Sequence, residues 1–173
     1  VELMIVVSII AIMSAIAIPN ILSVLPKYRL KSATRDLYSN SQKAKTMAIK
    51  LNTRVRLRFV DAADDYYYFD LDNDSTWDAD ETKVTLSDYD SGVVFGYGNA
   101  KEDWDGGDCD PAPGTCTQGT LFSFGTDGTA TNARVAFENE KDDISYAVTT
   151  ATSGIIKIRY FNNRSPYEQE SWE

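Results

Sequence analysis

Val1-Glu2-Leu3-Met4-Ile5-Val6-Val7-Ser8-Ile9-Ile10-Ala11-Ile12-Met13-Ser14-Ala15-Ile16-Ala17-Ile18-Pro19-Asn20 is the stretch on which the fold turns. From Leu3 to Ile18 only Ser8 and Ser14 are polar, and after Glu2 no charge occurs until Lys27. A helix over residues 1–25 is about 37 Å long, enough to cross a hydrocarbon core. Three readings compete. A cleaved secretory signal is one, and Ala15-Ile16-Ala17 has the small-residue pattern of a cleavage site, but such a signal begins with positive charge. A plain membrane anchor is the second. It gives Glu2 no purpose, because a carboxylate in lipid is costly unless it is protonated, paired or able to reach the interface. In the third, Glu2 pairs with a cation on a neighbouring copy and sets the register of assembly.

Beyond Pro26 the pattern becomes amphipathic. Leu30, Ala33, Leu37, Ala44, Met47 and Leu51 recur at three- and four-residue steps, with Lys31, Arg35, Lys43, Lys45 and Lys50 mostly off that stripe. The helix is expected to run to about Lys50 and stop near Asn52-Thr53. Its basic face reads either as a solvated surface or as a contact for lipid headgroups and acidic neighbours. Strand signals follow. Val55, Leu57 and Phe59 alternate with arginines, and Tyr66-Tyr67-Tyr68-Phe69 reads as the partner strand. Further runs lie at 93–95, 121–124, 133–137, 144–148 and 155–161, with Gly125-Thr126-Asp127-Gly128 and Thr152-Ser153-Gly154 as turns. The expected fold is α+β: one long helix, hydrophobic in its first half, packed on an antiparallel sheet. The chain divides into a hydrophobic transmembrane or assembly helix at 1–25, an amphipathic continuation at 26–52 and a β-rich head at 53–173.

Composition narrows the chemistry. The 173 residues are 43% hydrophobic and 25% charged, which suits a folded domain. There is no histidine, so Ser-His-Asp and Cys-His catalysis are excluded and the commonest zinc ligand is missing. Only carboxylates remain for acid–base work, and the chain is not expected to be an enzyme. Cys109 and Cys116 share a Gly/Pro-rich stretch and read as a disulfide from an oxidising compartment, closing a short loop. The net charge of −9 is unevenly spread. Residues 26–58 hold ten Lys/Arg against one Asp, and residues 59–173 hold seven Lys/Arg against twenty-four Asp/Glu. An acidic head repels nucleic acid, while the basic segment suits anionic lipid.

The apolar stretch, from Val1-Glu2-Leu3-Met4-Ile5 through Ala15-Ile16-Ala17-Ile18-Pro19, resembles the N-terminal helix of type IV pilins and pseudopilins. Arg29-Leu30-Lys31-Ser32-Ala33 and Gln42-Lys43-Ala44-Lys45-Thr46-Met47-Ala48-Ile49-Lys50 resemble the helix of the GspH/FimT-like branch. Phe122-Ser123-Phe124-Gly125-Thr126-Asp127-Gly128 resembles that branch's Phe-x-x-x-Gly turn, and Gly154-Ile155-Ile156-Lys157-Ile158 its last strand. The resemblance implies a structural subunit of a type IV pilus-like extracellular filament, polymerising through its N-terminal helix. The alternative it offers is a minor pseudopilin of a type II secretion system. Glu2 corresponds to the acidic residue that meets the amino terminus of an adjacent subunit, and Pro19 to the helix-kinking proline, where a bend or melted segment is expected. The implied partners are other copies, other pilins or pseudopilins, the inner membrane, an assembly platform and a prepilin peptidase. That peptidase removes a basic leader, and the family's mature chain begins with a methylated phenylalanine three residues before the position matching Val1. Such a leader reconciles the basic segment, which ordinarily marks the cytoplasmic side, with a disulfide on the other side. The expected location is the inner membrane, then an extracellular filament or a periplasmic pseudopilus.

Two acidic clusters remain. Asp70, Asp72, Asp74, Thr76, Asp78 and Glu81 stand at positions 1, 3, 5, 7, 9 and 12 of a calcium loop, with Ser75 in place of the usual glycine. The flanks read as strands rather than the helices of an EF-hand. A solvated acidic loop is the plain alternative; no cofactor is required, and Ca²⁺ would stabilise without doing chemistry. Asp103, Asp105, Asp108 and Asp110 surround Cys109 in a loop with a weaker claim to metal. DNA uptake, known among FimT-like pilins, calls for a C-terminal Gly-Arg-x-Arg patch. Here Arg159-Tyr160-Phe161-Asn162-Asn163-Arg164 lacks the glycine and the close arginine pair, and Glu168, Glu170 and Glu173 follow.

Overall fold

The computed structural model describes residues 2–60, 65–90, 92–96, 121–139 and 144–162. One helix, α1 (Glu2–Leu51), precedes all the strands. Its 50 residues make a rod about 75 Å long. It runs unbroken through Pro19 and Asn20, so the melted segment expected there is not present. A proline lacks only its own N–H, and the hydrogen bonds of its neighbours can hold the helix together across it. The expected stop is met at Asn52, which takes a left-handed φ of 50°. The amide of Thr53 then donates back to the Ala48 carbonyl at 3.3 Å, closing the helix with a Schellman-type bond.

Burial along α1 changes abruptly. Through Val24 the described side chains are exposed, save a half-buried Ser14, and from Leu30 onward one stripe is covered: Leu30, Ala33, Thr34, Leu37, Ser41, Ala44 and Ala48. This corrects the end of the expected stripe. Met47 is only half-buried and Leu51 is 58% exposed. With 3.6 residues per turn, Ala48 lies in line with Leu30, whereas Met47 is about 100° round and Leu51 is at the uncovered helix end. The polar members are satisfied within the helix: the hydroxyls of Thr34 and Ser41 donate to the carbonyls of Leu30 and Leu37 at 2.9 and 2.8 Å.

The strands are β1 (Val55–Val60), β2 (Tyr66–Asp70), β3 (Lys83–Thr85), β4 (Val94–Phe95), β5 (Leu121–Phe124), β6 (Ala133–Glu138), β7 (Ile144–Thr150) and β8 (Ile156–Asn162), with a 3₁₀ turn at Leu86–Tyr89. The α+β architecture is as expected, but the strands form two four-stranded sheets, β3-β2-β1-β5 and β4-β6-β7-β8, with all pairs antiparallel. β3 and the 3₁₀ turn were not expected, because Lys83–Thr85 is too short to show an alternation. One core joins both sheets to the helix. Leu30, Leu37 and Ala44 meet Val55, Leu57, Tyr67, Phe69, Phe122 and Phe124 of the first sheet and Val135, Phe137, Val148 and Ile156 of the second. The alternation in β1 is real: Val55 and Leu57 are fully buried, while Arg56 and Arg58 are half-buried on the opposite face.

Long-range polar contacts lock the helix to the head. The Lys45 ammonium donates to the Gly154 carbonyl at 2.8 Å, tying α1 to the β7–β8 turn. Tyr89 donates to Asp36 Oδ2 at 2.8 Å, and its partial burial, then that carboxylate acceptor, push its phenol upward. Tyr67, its hydroxyl accepting from Asn40, is pushed up to about 12, chiefly by burial.

Candidate functional sites: an unpacked apolar helix and an acidic loop

Among the described residues, nothing in the head covers the first half of α1. Leu3, Met4, Ile5, Val6, Val7, Ile9, Ile10, Ile12, Met13, Ile16, Ile18, Ile21 and Leu22 are each at least half exposed. Two of its polar residues turn inward on the helix: Ser8 Oγ donates to the Met4 carbonyl at 2.7 Å and Ser23 Oγ to the Asn20 carbonyl at 2.8 Å. Their hydroxyls are thereby satisfied, and this surface is more apolar than the residue count suggests. The exposed apolar stretch is long enough to cross a membrane, and none of it is buried. Glu2 stands exposed in the first helical turn, where a carboxylate is favoured by the helix dipole. Across one such helix the apolar area left in water would be a large liability, so this half requires lipid or other helices around it.

The basic segment is partly consumed by the head itself. Lys45 holds Gly154, Lys43 lies 5.2 Å from the Phe69 ring centre, and Arg29 pairs with Asp90 at 3.4 Å. Lys31, Arg35 and Lys50 are exposed.

The acidic loop follows β2 and folds back over the outer face of the first sheet. Tyr68 donates to the Ser75 carbonyl at 3.0 Å, and Lys83 lies over the rings of Tyr66 and Trp77. Asp70 ends β2 with its side chain fully buried, and Arg58 of β1 donates from Nε to its Oδ2 at 2.6 Å. The same guanidinium reaches Ser75 Oγ. Asp70, Asp72 and Asp74 each bring one carboxylate oxygen within 4.8 Å of the other two. Asp72 Oδ1 accepts the Asp74 amide at 3.1 Å, and Asp74 accepts both the amide and the hydroxyl of Thr76, at 2.7 and 2.6 Å. Those two bonds hold the Asp74 carboxyl below its ordinary range. Asp78 is held above its range by lost hydration and then by the charges of Asp74, Asp72 and Asp80.

The six residues spaced for calcium thus separate. Three aspartates converge. Glu81 is instead turned to the loop backbone, accepting the Leu71 amide at 2.7 Å and the Asp78 amide at 3.4 Å. Thr76 caps Asp74, and Asp78 stands outside the converging trio. Ser75, at the glycine position, adopts the left-handed φ of 76° that a glycine would supply. The buried Arg58–Asp70 pair was not foreseen. Its signal was in the β1–β2 register, which sets Arg56 opposite Asp70 and Arg58 opposite Tyr68, but register is invisible before the strands pair. Cys109 and Cys116, with the acidic residues around them, and Arg164 lie outside the described residues.

Comparison with known protein families gives a match. The family model described as type II transport protein GspH covers residues 33–154, from the buried stripe of α1 to the β7–β8 turn. No curated protein and no solved structure matches the chain. The matched span is most of the head and its helical spine, and it adjoins a helix fit for a membrane. The chain belongs to the GspH family and is a pseudopilin-like structural subunit.

Proposed function

We propose that this chain is a fibre subunit, anchored in the inner membrane by the first half of α1 until that helix packs against the helices of neighbouring subunits. The observation that carries this reading is the contrast within one continuous helix: from Leu30 onward one stripe is covered by the head, whereas none of the described residues covers the apolar residues through Leu22. Moving such a surface from lipid to protein costs little, because both are apolar, and close helix packing then supplies the fibre's cohesion. Glu2, the one charge ahead of Lys27, engages the amino terminus of the adjacent subunit and sets the stagger. Pro19 leaves the Ala15 carbonyl without its helical donor and is the point at which the helix yields during packing. The head is displayed outward and does no chemistry of its own.

The family match favours a periplasmic pseudopilus of a type II secretion system, among other pseudopilins, over the extracellular filament that the resemblance to type IV pilins implies. Electron microscopy of sheared native filaments, with mass spectrometry of their composition, tests the destination. Fibres built almost wholly of this chain would establish the extracellular filament. Trace incorporation, with loss of secretion on deletion, would establish the pseudopilus. Glu2→Ala should leave the head folded and the chain in the membrane while abolishing incorporation; normal incorporation would overturn the role given to Glu2.

A further inference from the structure

We propose that the loop joining β2 to β3 is a calcium site, with Asp70, Asp72 and Asp74 as its carboxylate ligands. These three place one oxygen each within 4.8 Å of the others, a spacing at which like charges repel unless a cation lies between them. A second observation, independent of that clustering, points the same way. Arg58 occupies only Oδ2 of Asp70; Oδ1 of that fully buried side chain is enclosed with no hydrogen-bond donor. Oδ1 of Asn73, in the same loop, is likewise buried and without a donor. Among the described residues, these are the two buried side-chain oxygens in that condition. A buried carboxylate oxygen lacking a donor is strongly destabilising, and a cation is the partner that removes the cost.

The chemistry of the donors selects the ion. The segment from Asp70 to Glu81 carries six carboxylates, no basic residue, no histidine and no cysteine, so it offers hard oxygen and nothing for a softer metal. Its ligands come from an irregular loop rather than a rigid octahedral cage, which suits the variable coordination of Ca²⁺ better than the strict geometry of Mg²⁺. Arg58 is positioned beside the ion, not in its place. It holds Oδ2 of Asp70 and the Ser75 hydroxyl, leaving Oδ1 for the metal and keeping the left-handed turn at Ser75 in shape. Glu81 braces the loop through the Leu71 amide, so water and loop oxygens complete the shell. Bound calcium joins the end of β2 to the loop lying over it and stabilises the head by mass action. This site stands independently of the assembly reading.

The test uses the full chain in detergent micelles, stripped with a chelator and titrated with Ca²⁺ by calorimetry. A parallel titration with Tb³⁺ reads emission sensitised through Trp77, which sits inside the loop. Saturable Ca²⁺ uptake and a raised Tm are expected, with a smaller response to Mg²⁺ at equal concentration. Asp72→Asn and Asp74→Asn, both at exposed positions, should weaken Ca²⁺ binding at least about tenfold each while leaving the chelated protein folded. Trp77→Phe should remove the sensitised emission and keep the calorimetric binding. Absence of saturable uptake, an equal response to Mg²⁺, or Ca²⁺ affinity undiminished in the Asp72/Asp74 double variant would each overturn the proposal.

Discussion

Arg58 Nε donates to Oδ2 of Asp70 at 2.6 Å, joining a half-buried guanidinium on β1 to a carboxylate with no solvent exposure at the end of β2. The contact crosses to the neighbouring strand and sits beneath the acidic loop. Breaking a pair of this kind from one side leaves a buried charge uncompensated.

Arg58→Met should therefore destabilise the calcium-free head by about 3 kcal/mol, measured by denaturant unfolding of the chelated chain. Adding Asp70→Asn to that variant should restore part of the loss, because the stranded charge is then gone. A single variant as stable as the parent would show that Asp70 does not depend on this pair.

The two halves of α1 should respond oppositely to truncation. Leu37→Ala removes a fully buried side chain from the core and should cost about 2–5 kcal/mol of head stability. Ile10→Ala, at a residue that is 58% exposed, should change head stability by less than about 0.5 kcal/mol. Thermal unfolding followed in the near-ultraviolet, where the head's aromatics report, separates the two.

Gly154 has a left-handed φ of 74°, and a Cβ there would collide with the Gly128 carbonyl oxygen. Both glycines are backbone turns that meet where Lys45 reaches from the helix. Gly154→Ala should lower stability by about 2 kcal/mol or more, since strain and collision add. Lys45→Met should cost less, because it removes one hydrogen bond and retains the aliphatic stem.

Alkaline pH should loosen the head through Tyr67. Its phenol is pushed up to about 12 mainly by burial, against an ordinary value of 10.0. The unfolded chain therefore ionises first. The contribution is fully present below pH 10 and is lost as pH rises from there through about 12. Tyr67→Phe should flatten this part of the stability–pH profile and, at neutral pH, leave Asn40 without its acceptor. Unfolding midpoints measured from pH 8 to 12 check the sign.

Sequence alone determined what depends on chain neighbours. The 3.6-residue period and lack of charge specify α1, Asn52 provides the left-handed stop, and alternation in β1 assigns Val55 and Leu57 to the core. The acidic residues of the loop announce their spacing in the same local way. What only the tertiary structure decided depends on partners distant along the chain. It split the strands into two sheets and put Ala48 rather than Met47 under cover. It also brought Lys45 to Gly154 across 109 residues. Within the loop it drew Asp70, Asp72 and Asp74 together, turned Glu81 to the Leu71 amide and gave Asp70 an arginine from the adjacent strand. Backbone sterics and side-chain period act over a few residues and are written locally. Register, burial and charge pairing emerge only when separate segments compete for the same space, so no local pattern contains them.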